Sequence, residues 1–116
     1  MQFSLQVIKD GLFARLEGEF DLLVADEIRE QLNRALKKSA AKHIVFDFSK
    51  LTFIDSSGLG VILGRWRQLA PMGGKVTIIG SSPQVYRILQ LSGLTRVIIV
   101  EEPIKTRIAR LKEEIQ

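Results

Sequence analysis

Residues 53–64 read F-I-D-S-S-G-L-G-V-I-L-G: a carboxylate, two hydroxyls and three glycines set in an aliphatic run. Glycines can let backbone close around a phosphate, a serine beside a base can act as a nucleophile, and paired aspartates can hold a divalent cation. Each chemistry needs more than this stretch supplies. A dinucleotide-binding turn spaces its glycines G-x-G-x-x-G, but Leu63 stands where the third glycine should be, and Gly64 comes one residue late. The Lys-Ser/Thr of a P-loop is absent too. A hydrolase elbow reads G-x-S-x-G; Ser56 has Gly58 two residues after it but Ile54 two residues before. A serine nucleophile also needs a base, and the only histidine, His43, is expected at the far end of the preceding strand. Asp47 and Asp55 stand near strand ends, where open α/β sheets bind ligands. The further acid, lysine and hydroxyl of a Mg²⁺ phosphoryl site cannot be assigned. Asp47 reads better as a strand-end carboxylate accepting loop N–H groups.

The elements around this stretch follow from periodicity. Residues 3–8 and 12–16 alternate, and Asp10-Gly11 between them supplies the positive φ angles of a tight hairpin. From Leu22 to Lys38, Ala25, Ile28, Leu32 and Leu36 recur at helical spacing, with Asp21 at the N-cap position and Lys37-Lys38 at the other end. Leu22, Leu23 and Val24 are too many apolar residues for one stripe, so at least one is exposed. H-I-V-F-D-F reads as a buried strand, and a brief loop then leads to the D-S-S-G stretch. From Gly58, Leu59, Ile62, Leu63, Trp66 and Leu69 mark one helical face, ended by Pro71 and Gly73-Gly74. K-V-T-I-I-G is a strand, Ser82-Pro83 caps and opens a helix closed by Gly93, and R-V-I-I-V is a last strand. Pro103 opens a final helix with Ile104, Ile108, Leu111 and Ile115 on one stripe. The order β-β-α-β-α-β-α-β-α predicts an α/β fold: a mixed, mostly parallel sheet with an N-terminal antiparallel hairpin and four helices. No repeat or linker divides residues 1–116, so a single domain is expected.

Placed at a strand-to-helix junction, Asp55, Ser56 or Ser57 can cap the helix starting at Gly58. Capping does not account for the glycines, each of which costs about 1 kcal/mol relative to alanine inside a helix. Gly60 and Gly64 are one turn apart and share a nearly bare face that another surface can approach closely. A serine at such a helix start also suits a charge switch. A phosphate adds about −1.5 to −2 charge at pH 7, which the positive helix end tolerates but a closely docked partner does not.

Composition narrows the function classes. The chain carries 17 Lys+Arg against 13 Asp+Glu, net +4, but the basic residues are scattered and there is one Trp and one Tyr for stacking on bases. Solvated faces are expected, with no direct nucleic-acid contact. With no cysteines, disulfides and thiolate metal sites are excluded and a cytoplasmic location is permitted. No signal peptide is expected, and no stretch approaches the ~20 apolar residues of a membrane span.

F-D-F-S-K-L-T-F-I-D-S-S-G-L-G-V-I-L-G-R closely resembles the signature of the STAS domain of bacterial anti-sigma factor antagonists, and is most similar to the sporulation type. G-E-F-D at 18–21 resembles the family's early G-E-x-D, and G-G-K-V-T-I-I-G-S-S-P-Q-V-Y-R-I-L-Q-L-S-G-L matches in kind and spacing. The resemblance spans roughly residues 3–100. It implies a STAS fold, no cofactor, and a binding protein rather than an enzyme. The implied partners are an ATP-dependent anti-sigma factor serine kinase, captured by the unphosphorylated antagonist so that the sigma factor is freed, and a metal-dependent serine phosphatase. The implied phosphoacceptor is Ser56, with Ser57 as a cap or supporting group. The implied partner surface surrounds Ser56 and includes Asp21, Ser57, Gly58 and Gly60, and the residues themselves add Glu19, Leu22, Asp55 and Gly64 to the expected contact surface. Leu22 and Leu23 depart from the polar residue expected after Asp21, and read either as partial core or as an apolar contact for the partner. The first two helix starts are expected side by side, and the protein is expected to be a monomer. An alternative is a STAS interaction module of a stress-signalling or transport complex without a kinase switch; nucleotide binding is a third reading, against which the glycine spacing speaks.

Overall fold

The computed structural model describes residues 1–115. Its elements are β1 (Gln2–Ile8), β2 (Gly11–Phe20), α1 (Leu22–Lys38), β3 (His43–Ile54), α2 (Ser56–Leu69), β4 (Lys75–Ile79), α3 (Pro83–Ser92), β5 (Ile99–Val100) and α4 (Ile104–Ile115). Short 3₁₀ turns follow α2 at Ala70–Met72 and α3 at Leu94–Arg96. The five strands lie in sequence order, with β1 antiparallel to β2 and every later pair parallel.

A strand order that always advances one way, with right-handed crossovers, puts the connecting helices on one face of the sheet. Burial follows. Leu12, Ala14, Leu16 and Phe20 of β2, Ile44, Phe46 and Phe48 of β3, and Val76 and Ile78 of β4 are all buried. They sit side by side in register, Leu12 beside Ile44 beside Val76, and Ala14 beside Phe46 beside Ile78. Against this layer α1 sets Ala25, Ile28, Leu32 and Leu36, α2 sets Val61, Ile62 and Leu69, and α3 sets Val85 and Leu89. The alternate residues Phe13, Val45, Thr77 and Ile79 are only partly buried, because no helix covers their side to the same extent.

Several elements differ from their sequence reading. The hairpin loop is Lys9-Asp10, with Ile8 paired to Gly11, and the positive φ falls on Lys9 at 56° rather than on Asp10-Gly11. No loop separates H-I-V-F-D-F from the D-S-S-G stretch. Instead β3 runs twelve residues to Ile54, pairing with β2 throughout. Two register shifts insert extra residues on β3, so that Arg15 pairs with Asp47 but Glu17 with Lys50, and Gly18 with Leu51 but Glu19 with Phe53. Each bulge moves the inward phase by one residue, so Leu51 turns inward where strict alternation from Phe48 would place Lys50, and the second shift returns Ile54 to the inward side. The R-V-I-I-V strand shrinks to Ile99–Val100, because Leu94–Arg96 closes a 3₁₀ turn just before it. Helix α2 begins at Ser56, two residues before Gly58, and its buried side is Gly58, Val61, Ile62, Arg65 and Leu69. Leu59, Leu63 and Trp66 are half-buried on its flank, so the stripe is rotated from the expected one. Among the described residues no helix is long and apolar enough to cross a membrane.

Candidate functional site

The junctions β2–α1 and β3–α2 are built alike and lie next to each other. In each, one extended aspartate ends the strand and caps the helix. Asp21 accepts from the Leu23 N–H through Oδ1 at 3.1 Å. Asp55 accepts from Ser57 N–H at 2.9 Å and Gly58 N–H at 3.2 Å through the same oxygen. The other Asp55 oxygen accepts from the Leu22 N–H at 3.2 Å, and the Asp55 N–H donates to the Phe20 carbonyl at 3.3 Å. One carboxylate therefore satisfies orphan donors at two helix starts and locks them together. Register supports the same closeness, since Glu19 pairs with Phe53 and Phe20 with Ile54.

This cap assigns roles to neighbouring residues that the sequence left open. Asp55 is the cap; Ser57 contributes its backbone N–H to it and does not cap the helix. Ser56 is the first residue of α2 and is exposed. Gly58 is not part of a bare face. It is buried, and a β-carbon there would lie 2.6 Å from the Phe20 carbonyl oxygen and 2.9 Å from the Ile54 side chain. It is the contact that lets α2 press against the end of β2. Gly60 and Gly64 do present open backbone, with nothing within 4 Å of where a β-carbon would stand on either.

Leu22 and Leu23 are 72% and 90% exposed, so the partial-core reading of this pair is wrong. The helix points its 25–28–32–36 stripe inward, leaving these two outside it. Phe53, which sequence reasoning missed, joins them as an exposed aromatic beside Glu19. On the other side of Ser56 lies a groove of about 410 Å³ lined by Ser56, Leu59, Gly60, Leu63, Ser92, Gly93, Leu94 and Val97. Its far wall comes from a segment more than thirty residues downstream, which no local pattern in the sequence could connect to Ser56. The surface is thus an acidic rim (Glu19, Asp21, Asp55) and exposed apolar side chains on one side of Ser56, with a mostly apolar groove on the other.

His43 lies at the opposite end of β3, its Nδ1 accepting from the Lys75 N–H at 3.1 Å and its Nε2 3.5 Å from Asp10. At about 3.3 Å per residue, the length of β3 holds it roughly 35 Å from Ser56. Asp47 accepts from the Ser49 N–H at 2.9 Å and faces Arg15 across 3.9 Å. No group of three metal-ligating side chains occurs among the described residues.

Comparisons with known proteins agree with this geometry. The STAS domain model matches residues 2–111. The chain belongs to the STAS domain family. It is 37% identical over 97 residues to the anti-sigma F factor antagonist of Paenibacillus polymyxa, covering 84% of this chain and 83% of that one. It is 33% identical over 95 residues to the anti-sigma F factor antagonist of Lysinibacillus sphaericus, covering 81% of each. Among solved structures it is similar to the anti-sigma factor antagonist SpoIIAA in its unphosphorylated form, with a TM-score of 0.77, 31% identity and 97% of each chain covered. It is also similar to the Bacillus cell fate determinant SpoIIAA in the phosphorylated form, with a TM-score of 0.69, 32% identity and 95% and 99% covered. The STAS fold and the mixed five-stranded sheet with its N-terminal hairpin and four helices are those expected from the sequence.

Proposed function

We propose that this STAS protein is an anti-sigma factor antagonist whose unphosphorylated form captures an anti-sigma factor serine kinase, and that phosphorylation of Ser56 releases it. The observation that carries the reading is the position of Ser56: exposed, first in α2, at the centre of the shared junction and beside both the apolar rim and the groove. The relatedness to SpoIIAA, which is known in both phosphorylation states, supports it.

The switch works by placing charge where the partner docks. Helix α2 accepts a phosphate at its N-terminus because the unpaired N–H groups and the helix dipole favour negative charge there. The fold therefore tolerates what the interface does not. A partner seated on the rim, over Leu22, Leu23 and the open backbone of Gly60 and Gly64, would have to desolvate a phosphate standing next to Asp55. Exposed leucines of this kind favour docking by leaving water, since fully burying a leucine side chain is worth about 1.5–3 kcal/mol. The acidic rim calls for basic groups on the partner, and the kinase brings the γ-phosphate of ATP to the Ser56 hydroxyl. A metal-dependent serine phosphatase removes the phosphate and restores capture. The protein acts here as substrate and ligand, with cytoplasmic partners.

Incubation with a serine-kinase anti-sigma factor and ATP, followed by peptide mass spectrometry, tests the proposal. One phosphate on Ser56, none in Ser56→Ala, and retained kinase binding by Ser56→Ala are expected. Binding without modification of Ser56 would establish instead an interaction module with no kinase switch.

A further inference from the structure

The loop from β4 into α3 and the segment from β5 into α4 bound a cavity of about 410 Å³, beyond the carboxyl ends of both strands. That is the edge on which parallel α/β sheets bind ligands, and the volume is in the range of small-molecule sites. The cavity shares no lining residue with the groove beside Ser56.

The polar groups around it do not balance. Ser81 lines the cavity, is only 5% exposed, and its Oγ has no hydrogen-bond partner. Native proteins rarely leave a buried hydroxyl unpaired. The positive N-terminal end of α3 opens on the same wall, with Pro83 in contact with the cavity. Lys105 and Arg107 line it from α4, and among the described residues neither forms an ion pair. Two carboxylates line it as well, and both are engaged. Glu101 accepts from the Gly80 N–H at 3.1 Å. Glu102 accepts from Arg110 Nε and Nη2 at 3.2 and 3.1 Å. What is left uncommitted is a hydroxyl, two cations and a helix start, which together offer donors and positive charge. The rest of the wall is apolar, from Pro83, Pro103 and Ile104.

Each kind of wall suits a different part of one ligand. Donors and cations suit a phosphate, which carries about −1.5 to −2 charge at pH 7 and three acceptor oxygens. The apolar wall suits an organic substituent on it. We propose that this cavity binds a small phosphate monoester, with the phosphate on Lys105, Arg107 and Ser81 and the organic group against Pro83, Pro103 and Ile104. Glu101 and Glu102 set the upper limit of charge, since a second phosphate would be brought against them. The ligand also bridges the start of α3 to α4. None of the α4 side chains is buried, so a second tie beside the Arg110–Glu102 contact steadies the whole helix.

The test titrates the full ¹⁵N-labelled chain with phenyl phosphate near pH 7 at fixed ionic strength and follows the amide shifts. Saturable shifts gathered at Gly80, Ser81, Ile104 and Lys105 are expected, with a dissociation constant on the order of 1 mM. Inorganic phosphate and pyrophosphate should each bind about tenfold more weakly, and phenol should not saturate. Arg107→Gln is expected to weaken phenyl phosphate binding roughly tenfold or more, and Ser81→Ala about fivefold. Without ligand both variants should melt no lower than the parent, because neither group has a partner to lose. Arg34→Gln, which removes an exposed charge from α1, should bind as the parent does. Amide exchange across α4 should slow when phenyl phosphate is bound. No saturation by about 10 mM, shifts spread over the whole surface, or equal weakening by Arg34→Gln and Arg107→Gln would each overturn the proposal. So would phenol binding as well as phenyl phosphate, phosphate or pyrophosphate binding as tightly as it, or α4 exchange that does not respond.

Discussion

Glycine plays two opposed parts within three residues of one another. At Gly58 the backbone of α2 meets the end of β2, and a methyl group would overlap the Phe20 carbonyl. At Gly60 the same atom would point into open space. Alanine gains about 1 kcal/mol of helix propensity over glycine at either position, so the two substitutions separate packing from propensity. Gly58→Ala is expected to destabilise by about 1–3 kcal/mol, because backbone must move to admit the methyl. Gly60→Ala is expected to stabilise by up to about 1 kcal/mol while weakening kinase binding. Paired urea titrations with a binding assay check this, and equal signs of the two stability changes would refute the division of roles. Much of this was legible in the sequence: the D-S-S-G-L-G stretch, the Asp21 cap and the exposure of at least one leucine after it. The distinction between Gly58 and Gly60 was not, because it depends on where Phe20 ends, and Phe20 lies some forty residues earlier in the chain.

The elements carry their own imbalances. β3 hid half its length from pattern reading because two bulges break its alternation just where the junction residues must be aimed, and a bulge leaves no periodic trace. Between α1 and α2, Arg65 is only 8% exposed, and its Nε and Nη1 have no hydrogen-bond partner. Burial, and secondarily Arg29, push its guanidinium below the usual arginine range, though far too little to discharge it. A buried unpaired polar group costs stability, so Arg65→Met, which keeps the aliphatic stem and removes the charge, is expected to raise stability by about 1 kcal/mol in chemical denaturation. A loss of several times that amount would mean the guanidinium is held by a partner. At the other end of the chain, the hydrogen bonds from Arg110 hold the Glu102 carboxyl below its ordinary value. A depressed carboxylate contributes its full share above the ordinary value, about 4.3, and loses it as pH falls through the lower folded one. Amide exchange across α4 is therefore expected to accelerate in acid below about pH 4 relative to α1–α3. In Glu102→Gln the acceleration should already be present at neutral pH.

At the scale of the molecule, the proposed switch and the fold are kept apart. The core lies between the sheet and α1–α3, whereas Ser56 sits outside it at the junction that Asp55 ties together. Nothing buried depends on the Ser56 hydroxyl. A negative charge at the first residue of α2 interacts favourably with that helix end, by about 0.3–1 kcal/mol. It also stands next to Asp55, which opposes the gain. The two nearly cancel, so Ser56→Asp should melt within a few degrees of the parent. Binding should respond far more strongly, because a carboxylate forced against a docked apolar surface is desolvated without a counter-charge. Each 1.4 kcal/mol of that penalty weakens the complex about tenfold, and one buried unpaired charge readily exceeds it. Ser56→Asp is thus expected to lose at least roughly tenfold in kinase affinity by calorimetry. Ser56→Ala should bind as the parent does. A collapse of the melting temperature in Ser56→Asp would show that Ser56 belongs to the packed structure, and full affinity would show that the partner docks elsewhere.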